Sequence, residues 1–302
     1  MNNIQHQLAV KEAVKDKFRG SQTLSCRTVP RYPASAEREF RRITNAFMKM
    51  VNESLKAHLP EIMEAYKKKL NGDSRFDDTS EIDDGFFQVW RELEQKIASF
   101  GIEKFIKRVG ELTTDTSIRE WKRAVRQTLG VDLLDDYYKG DFYALQLRKW
   151  VEENAEKIKS IPSESLRRMK NVVLEGYTRG KSLRTIQKEI QEQYNVSKSK
   201  AMSLARDQIG TLNAQITQAQ QKDAGCNRYR WSTSGDSKVR DSHRQLNNKI
   251  LSWDSPPEMW YISKTRGKVY TGRRCHPGED YGCRCVAIPV FDIDTLDIPI
   301  KP

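Results

Sequence analysis

The chain has 302 residues, and 53 Lys and Arg against 41 Asp and Glu give it a net charge of +12. This length is sufficient for two domains with separate cores, and the charge favours a polyanionic partner, most simply nucleic acid. No segment approaches the roughly 18 apolar residues of a membrane span, the N-terminus does not have the pattern of a signal peptide, and the five Cys are an odd number. We therefore expect synthesis in the cytoplasm with reduced thiols and no membrane span.

Residues 1–34 contain several Lys and Arg with few acidic residues, and they end with Pro30 and Pro33. This composition predicts a basic flexible arm, and the alternative is a solvated tail without a role.

Residues 35–225 are predicted to be helical, because apolar residues recur there at steps of three and four. Ser35 is a candidate N-cap, Pro60 predicts a break, and 71–80 has the composition of a loop. Gly101 is expected to end a helix in the left-handed cap position. Further helical patterns cover 102–129, 141–159 and 163–179, and Ser182 is expected to start the next helix after Gly180.

The last long helix has the clearest pattern and is expected to end at Gly225. Its apolar seam is formed by Met202, Ala205, Ile209, Leu212, Ile216 and Ala219. Such a seam packs against another helix, either within the chain, which is the commoner case, or in a partner.

Residues 226–302 lack the long helical patterns of the preceding region, and their short alternating segments predict a small α+β module. Residues 229–233 alternate like a strand, 237–246 suit a short helix, and Asn247-Asn248 suits a tight turn. A last strand from Cys283 would place Cys283 and Cys285 on one face. The predicted fold class is therefore mainly α, with an elongated multi-helix N-terminal region followed by this module.

The Cys and His residues of the module allow a metal site. The candidate zinc ligands are His243, Cys275, His276, Cys283 and Cys285. The spacing argues against zinc, because a lone Cys-x-Cys without a Cys-x-x-Cys is not the usual pattern. We expect no cofactor, and zinc stays open as the alternative.

A catalytic site is a second interpretation. Asp241, His243 and His276 are candidates for activating water with a divalent ion, as in a small nuclease. A Cys–His pair of His243 and Cys285 lacks an orienting third group. No recognised catalytic spacing appears, so we expect no catalytic residues and no enzyme.

The third interpretation is structural. In it Trp231 and Trp253 fill a small core, the Cys side chains are buried, and Asp236 caps a helix and pairs with Arg240.

Four sub-motifs in this region resemble the Mu F-like domain of phage head-morphogenesis proteins, and their order and spacing agree. They are Tyr229-Arg-Trp-Ser-Thr-Ser-Gly-Asp236, Val239-Arg-Asp-Ser-His243, Leu246-Asn-Asn-Lys249, and His276-Pro-Gly-Glu-Asp280 with Cys283-Arg-Cys285. The preceding Ala205-Arg-Asp207 and Leu212-Asn213 are similar to that family's approach to the domain. Gly282 replaces the usual Asn before Cys-Arg-Cys, and Asn248 stands where relatives often have Gly. The module's core motif comprises Trp231, Asp236, Arg240, His243, Pro277, Gly278, Cys283, Arg284 and Cys285.

The resemblance implies a minor head, or minor capsid, protein of a tailed phage or prophage. Such a protein joins the procapsid by binding the portal protein on the inner side, and residues 35–225 are the expected portal-binding region. The implied partners are the portal protein, double-stranded genomic DNA and a scaffold or major capsid protein. The implied location is the capsid interior near the portal vertex, with roles in head morphogenesis, packaging or DNA ejection.

The segment 264–274 is basic, contains no acid and includes a Tyr, so it suits a flexible loop that contacts DNA phosphates without sequence preference. The candidate DNA-binding residues are Lys264, Arg266, Lys268, Arg273 and Arg274. A solvated surface loop is the alternative for this segment. A metal-dependent, nuclease-like enzyme is the alternative for the whole protein.

Overall fold

The structure is a computed structural model that describes residues 3–71, 79–134 and 141–301. The helices are α1 (Asn3–Phe18), α2 (Ala34–Leu70), α3 (Ser80–Phe100), α4 (Ile102–Leu129), α5 (Asp141–Thr178), α6 (Leu183–Asp223) and α7 (Asp241–Leu246). The strands are β1 (Thr23–Ser25), β2 (Arg228–Ser232), β3 (Ile250–Ser252), β4 (Glu258–Ser263), β5 (Gly267–Arg274) and β6 (Val286–Asp292). The predicted fold class, a mostly helical chain with a small C-terminal antiparallel β-sheet module, is confirmed.

Local signals in the sequence located several helix ends correctly. Gly101 follows α3 with φ of 61°, and the hydroxyl of Ser182 accepts a hydrogen bond from the backbone N–H of Thr185 at 3.2 Å. Most of the predicted loop at 71–80 lies outside the described residues.

The break predicted at Pro60 does not occur, because α2 continues through it to Leu70. Buried apolar residues lie on both sides of the proline, including Val51 and Leu55 before it and Ile62 and Tyr66 after it. We attribute the continuity to this packing, which outweighs the missing backbone hydrogen bond.

The chain forms two compact units. The first contains residues 1–37, 109–150 and 206–302, and the second contains 38–108 and 151–205. These boundaries differ from the predicted divisions at 34 and 225, because long helices contribute residues to both units. The second unit is helical and has one large apolar core, to which α2, α3, α5 and α6 contribute.

The first unit is organised by a four-stranded antiparallel sheet in the order β1-β6-β2-β3. β6 is almost completely buried. One core of this unit contains residues from α1, α4 and β6, including Val14, Trp121 and Phe291. A second core contains Tyr229, Trp231 and Trp253, as the structural interpretation predicted.

The predicted basic arm is ordered in its described part, so that expectation is wrong. Val10, Val14 and Phe18 form a buried stripe on α1, and β1 pairs with β6, with Leu24 opposite Phe291. The prediction was based on the many Lys and Arg residues and did not take this apolar spacing of four residues into account. Most of the basic side chains lie on the exposed side of the segment.

The apolar seam of α6 packs within the chain. Ala205, Ile209, Leu212 and Ile216 are buried, and Met202 and Ala219 are half-buried. Among the described residues, no helix has the combination of length and apolar character needed to span a membrane.

Candidate functional site

The site is built around His243, which lies on the short helix α7 and is 2% exposed. The predicted helix from 237 begins later, at Asp241, so Asp236 does not cap it. Asp236 instead accepts a hydrogen bond from the backbone N–H of Lys238 at 2.9 Å and pairs with Arg284 at 2.5 Å. The predicted Asp236–Arg240 pair is therefore replaced by pairs to other partners.

Both ring nitrogens of His243 have partners. Nε2 lies 3.2 Å from Oδ2 of Asp280, and Nδ1 lies 3.5 Å from the sulfur of Cys283 and 3.5 Å from that of Cys285. The indole of Trp231 packs edge-to-face on the imidazole, with the ring centroids 5.3 Å apart. The ring is thus fixed in position by a carboxylate on one side, two sulfurs on the other and an aromatic face.

Asp280 is a buried carboxylate with several cationic partners. Its oxygens lie 3.3 Å from Nη1 of Arg240 and 3.0 Å from Nη1 of Arg273, and Oδ1 accepts the backbone N–H of Tyr281 at 3.0 Å. Burial alone raises the pKa of Asp280, but the hydrogen bond to His243 and the two arginines outweigh it and lower the pKa. Asp280 is therefore ionised at neutral pH.

The contact with Asp280 also affects the pKa of the His243 imidazole. Burial lowers the pKa of His243, but hydrogen bonds to Asp280 and Cys283 outweigh this and raise it to about 9. The pKa of Cys283 is lowered by the hydrogen bond from Cys285, and the pKa of Cys285 is raised by the same interaction. The backbone N–H of Cys285 also donates to the sulfur of Cys283 at 3.3 Å. Cys283 is therefore the sulfur of the pair that carries negative charge more readily.

Helix α6 holds the loop before the two cysteines at very short range. A Cβ at Gly210 would lie 2.8 Å from the carbonyl oxygen of Cys283, which leaves room for glycine only. The carboxylate of Asp207 accepts the backbone N–H of Gly282 at 3.1 Å, and Gly282 has φ of +60°. Gly282 thus suits the turn by its conformation, and Asp207 supplies a hydrogen bond in place of an asparagine side chain.

His276 does not join His243. Its Nδ1 bonds the hydroxyl of Tyr229 at 2.9 Å, and its ring lies 4.9 Å from that of Trp253. Burial lowers the pKa of His276. Among the described residues, the group of ligand atoms close enough for one metal ion is His243, Cys283 and Cys285, all within 4.8 Å of one another. Asp241 and His276 are absent from this group, so the predicted Asp241–His243–His276 site is not assembled.

A cavity of about 200 Å³ opens beside the His243 cluster. Four basic residues line it, namely Arg206, Lys238, Arg240 and Arg284, together with Asp236 and Tyr281. The remaining residues of the predicted core motif, Pro277 and Gly278, are buried, and Gly278 has φ of +91°.

The predicted DNA-contacting loop at 264–274 is a hairpin instead. β4 and β5 pair with Ile262 opposite Lys268, and only 264–266 form the connection. Residues 267–274 alternate between exposed and half-buried along much of β5, as expected of a strand at the surface. Lys264, Arg266, Lys268 and Arg274 are exposed.

Two of the predicted DNA-binding residues also make contacts within the fold. The ammonium of Lys268 lies 4.4 Å from the ring centroid of Trp260. Arg273 is half-buried and bonds Asp280, so it belongs to the His243 cluster rather than to a free basic surface. No pattern in the sequence indicated this role for Arg273. Its carboxylate partner Asp280 was noted in the sequence only as the last residue of the Pro-Gly-Glu-Asp motif, without a predicted contact.

Residues 167–288 match the family described as Phage Mu protein F like protein. The chain is 35% identical over 139 residues to an uncharacterized protein of Haemophilus influenzae, which covers 46% of this chain and 28% of the relative. It is 30% identical over 128 residues to the NAD(+)--arginine ADP-ribosyltransferase EFV of Enterococcus faecalis, covering 40% of this chain and 25% of that protein. The matched region thus spans about a quarter of the length of these curated relatives. No solved structure matches the chain.

Proposed function

We propose that the protein is a minor head protein of a tailed phage or prophage. It binds the portal protein on the inner side of the procapsid, lies in the capsid interior near the portal vertex and contacts genomic DNA without sequence preference. The observation that supports this proposal is the match of residues 167–288 to the Phage Mu protein F-like family. The net charge of +12 is consistent with a protein that meets DNA at high local concentration.

We propose that the second unit supplies the portal-binding surface. The seam of α6 is used for internal packing, so another apolar surface is needed. Phe87 on α3 is 56% exposed and borders a cavity of about 450 Å³, which Trp90 and Leu166 also line. Aromatic side chains beside a cavity are typical anchors at protein interfaces.

Co-expression with the portal protein of the same genome tests this surface. The wild-type chain is expected to co-purify with tagged portal protein, and Phe87→Ser is expected to weaken binding by about 30-fold, the effect of losing roughly 2 kcal/mol at an anchor residue. Leu145→Ser is the matched control, because Leu145 is 62% exposed but belongs to the first unit. Failure of the wild-type chain to bind the portal, or equal effects of both variants, would contradict the proposal.

DNA binding is expected to depend steeply on salt and to involve the β4–β5 hairpin. Replacing Lys264, Arg266 and Arg274 by Gln should reduce the slope of log affinity against log salt by about 0.9 for each phosphate that the variant no longer neutralises. Lys268 is left intact, because its contact with Trp260 would change as well. The slope is measured with double-stranded DNA of unrelated sequences by fluorescence anisotropy.

The control for the hairpin variant has the same net charge. It replaces Lys49, Arg126 and Lys188 by Gln, and these residues are all exposed and lie outside the hairpin. If this control reduces the slope as much as the hairpin variant, binding is a property of the overall charge and the hairpin assignment is wrong.

We further propose that the protein acts without catalysis. Asp241 pairs with Arg244 at the surface and His276 bonds Tyr229, which leaves no shared position for a water-activating ion among these residues. Part of the chain is similar to an ADP-ribosyltransferase, but the shared region is a quarter of that protein. Cleavage of plasmid DNA that is abolished in His243→Ala would favour the nuclease-like alternative.

A further inference from the structure

We propose that His243, Cys283 and Cys285 bind a Zn²⁺ ion, with a solvent molecule from the adjoining cavity as the fourth ligand. This proposal does not depend on the proposed head-protein function. The ion would link α7 to the Cys283–Cys285 segment regardless of the partner that the domain binds.

The first argument is the spacing of the ligand atoms. Zn–S bonds of about 2.3 Å and a Zn–N bond of about 2.05 Å at the tetrahedral angle place nitrogen and sulfur roughly 3.6 Å apart. Nδ1 of His243 lies 3.5 Å from each of the two sulfurs. Both nitrogen–sulfur separations therefore match those of a zinc tetrahedron, and all three ligand atoms lie within 4.8 Å of one another.

The second argument is that a single metal ion accounts for both contacts of Nδ1 at once. Nδ1 offers one hydrogen or one lone pair, which the two equidistant sulfurs would have to share as a three-centre hydrogen bond. A metal ion placed between the three atoms satisfies all of them at once.

The third argument is the orientation of the imidazole. Oδ2 of Asp280 accepts from Nε2 of His243 at 3.2 Å, so Nδ1 is the nitrogen that gives up its hydrogen when a metal binds, and its lone pair then faces the sulfurs. Zinc-binding histidines commonly donate their second N–H to a carboxylate in this way. Asp280 is itself held by Arg240 and Arg273, so the orienting group is well fixed.

The fourth argument is charge. Both cysteines bind zinc as thiolates, and a divalent cation would neutralise the two negative charges that form when they bind it. The cavity beside His243, Cys283 and Cys285 has room for a water ligand. The Cys-x-Cys spacing, which argued against zinc from sequence, is compatible because the third ligand comes from α7, 40 residues earlier in the chain.

The metal content of the full chain, purified under reducing conditions without added metal or chelator, tests the site. We expect one Zn²⁺ per chain in the wild type and a decrease of about tenfold or more in Cys283→Ser and in Cys285→Ser. Cys275→Ser is the matched control, because Cys275 is also buried in the same core but lies outside the ligand group, and it should retain the metal. Asp280→Asn should weaken zinc affinity about 10–100-fold without abolishing binding, as expected of a positioning residue.

A second measurement does not depend on the folding of variants. Co²⁺ added to the chelator-treated wild-type chain is expected to give the absorption bands of a tetrahedral ion and a sulfur-to-cobalt charge-transfer band, and Zn²⁺ should abolish both. A wild-type chain without zinc that shows no such bands, or equal metal loss in Cys275→Ser, would overturn the proposal. A disulfide between Cys283 and Cys285 in the chain purified under reducing conditions would overturn it too.

Discussion

Trp231→Ala is expected to lower the free energy of unfolding of the first unit by about 3–5 kcal/mol, the usual range for removing a large buried aromatic side chain. Trp231 is completely buried on β2, opposite Ala287 of β6, and it packs on the imidazole of His243. Its removal therefore leaves a cavity in the core and deprives the His243 ring of a side chain that fixes it. Hydrogen exchange in peptides that cover β2 and β6 measures the effect locally, which is necessary in a chain with two units.

Trp260→Ala is the control for this prediction. Trp260 lies on the β4–β5 hairpin, is half-buried and contacts Lys268, so its replacement should cost about 1 kcal/mol. Equal protection of β2 and β6 in the wild type and in Trp231→Ala would show that this tryptophan is not central to the core.

Gly225→Ala is expected to destabilise the first unit by about 3 kcal/mol or more. Gly225 follows α6 with φ of +73°, and a Cβ there would lie 1.8 Å from the carbonyl oxygen of Thr295. The hydroxyl of Thr295 donates to the carbonyl oxygen of Gly225 at 2.7 Å, so the backbone after β6 is held against the end of the helix. An added methyl group would force these segments apart.

Gly235→Ala separates conformational strain from this collision. Gly235 has nearly the same backbone angle, with φ of +72°, but a Cβ there would meet nothing within 4 Å. Its replacement should therefore cost only about 1 kcal/mol. Urea unfolding of both variants, followed by hydrogen exchange near 286–301, measures the difference, and equal destabilisation would contradict the predicted clash.

Sequence spacing was sufficient where the determinant is local. The left-handed glycine after α3, the cap at Ser182 and the strand at 228–232 all depend on residues within one or two turns of each other. The resemblance of the region from Tyr229 to Cys285 to the Mu F-like domain was also readable, because its sub-motifs keep their order and spacing along the chain.

Contacts between residues that are distant in the chain could not be predicted from the sequence. The composition of residues 1–34 indicated a flexible arm, whereas the sheet takes up β1 as an edge strand because β6 offers it unpaired backbone groups and an apolar face. Similarly, Arg273 was predicted to be one of several DNA-binding residues, but it pairs with Asp280, whose buried position depends on contacts such as that with His243, 37 residues earlier in the chain.

The sequence by itself determined the helical class, several helix ends and the resemblance of the C-terminal module to the Mu F-like family, since each is encoded in short-range patterns. Only the tertiary structure decided which Cys and His residues meet. It joined His243 to Cys283 and Cys285 and separated His276 from them, because α7, β2 and the Asp280 loop converge on one core through contacts between residues that are far apart in the chain. Spacing along the chain carries no information on that convergence. The proposed zinc site depends on the convergence, and therefore could not be predicted from the sequence.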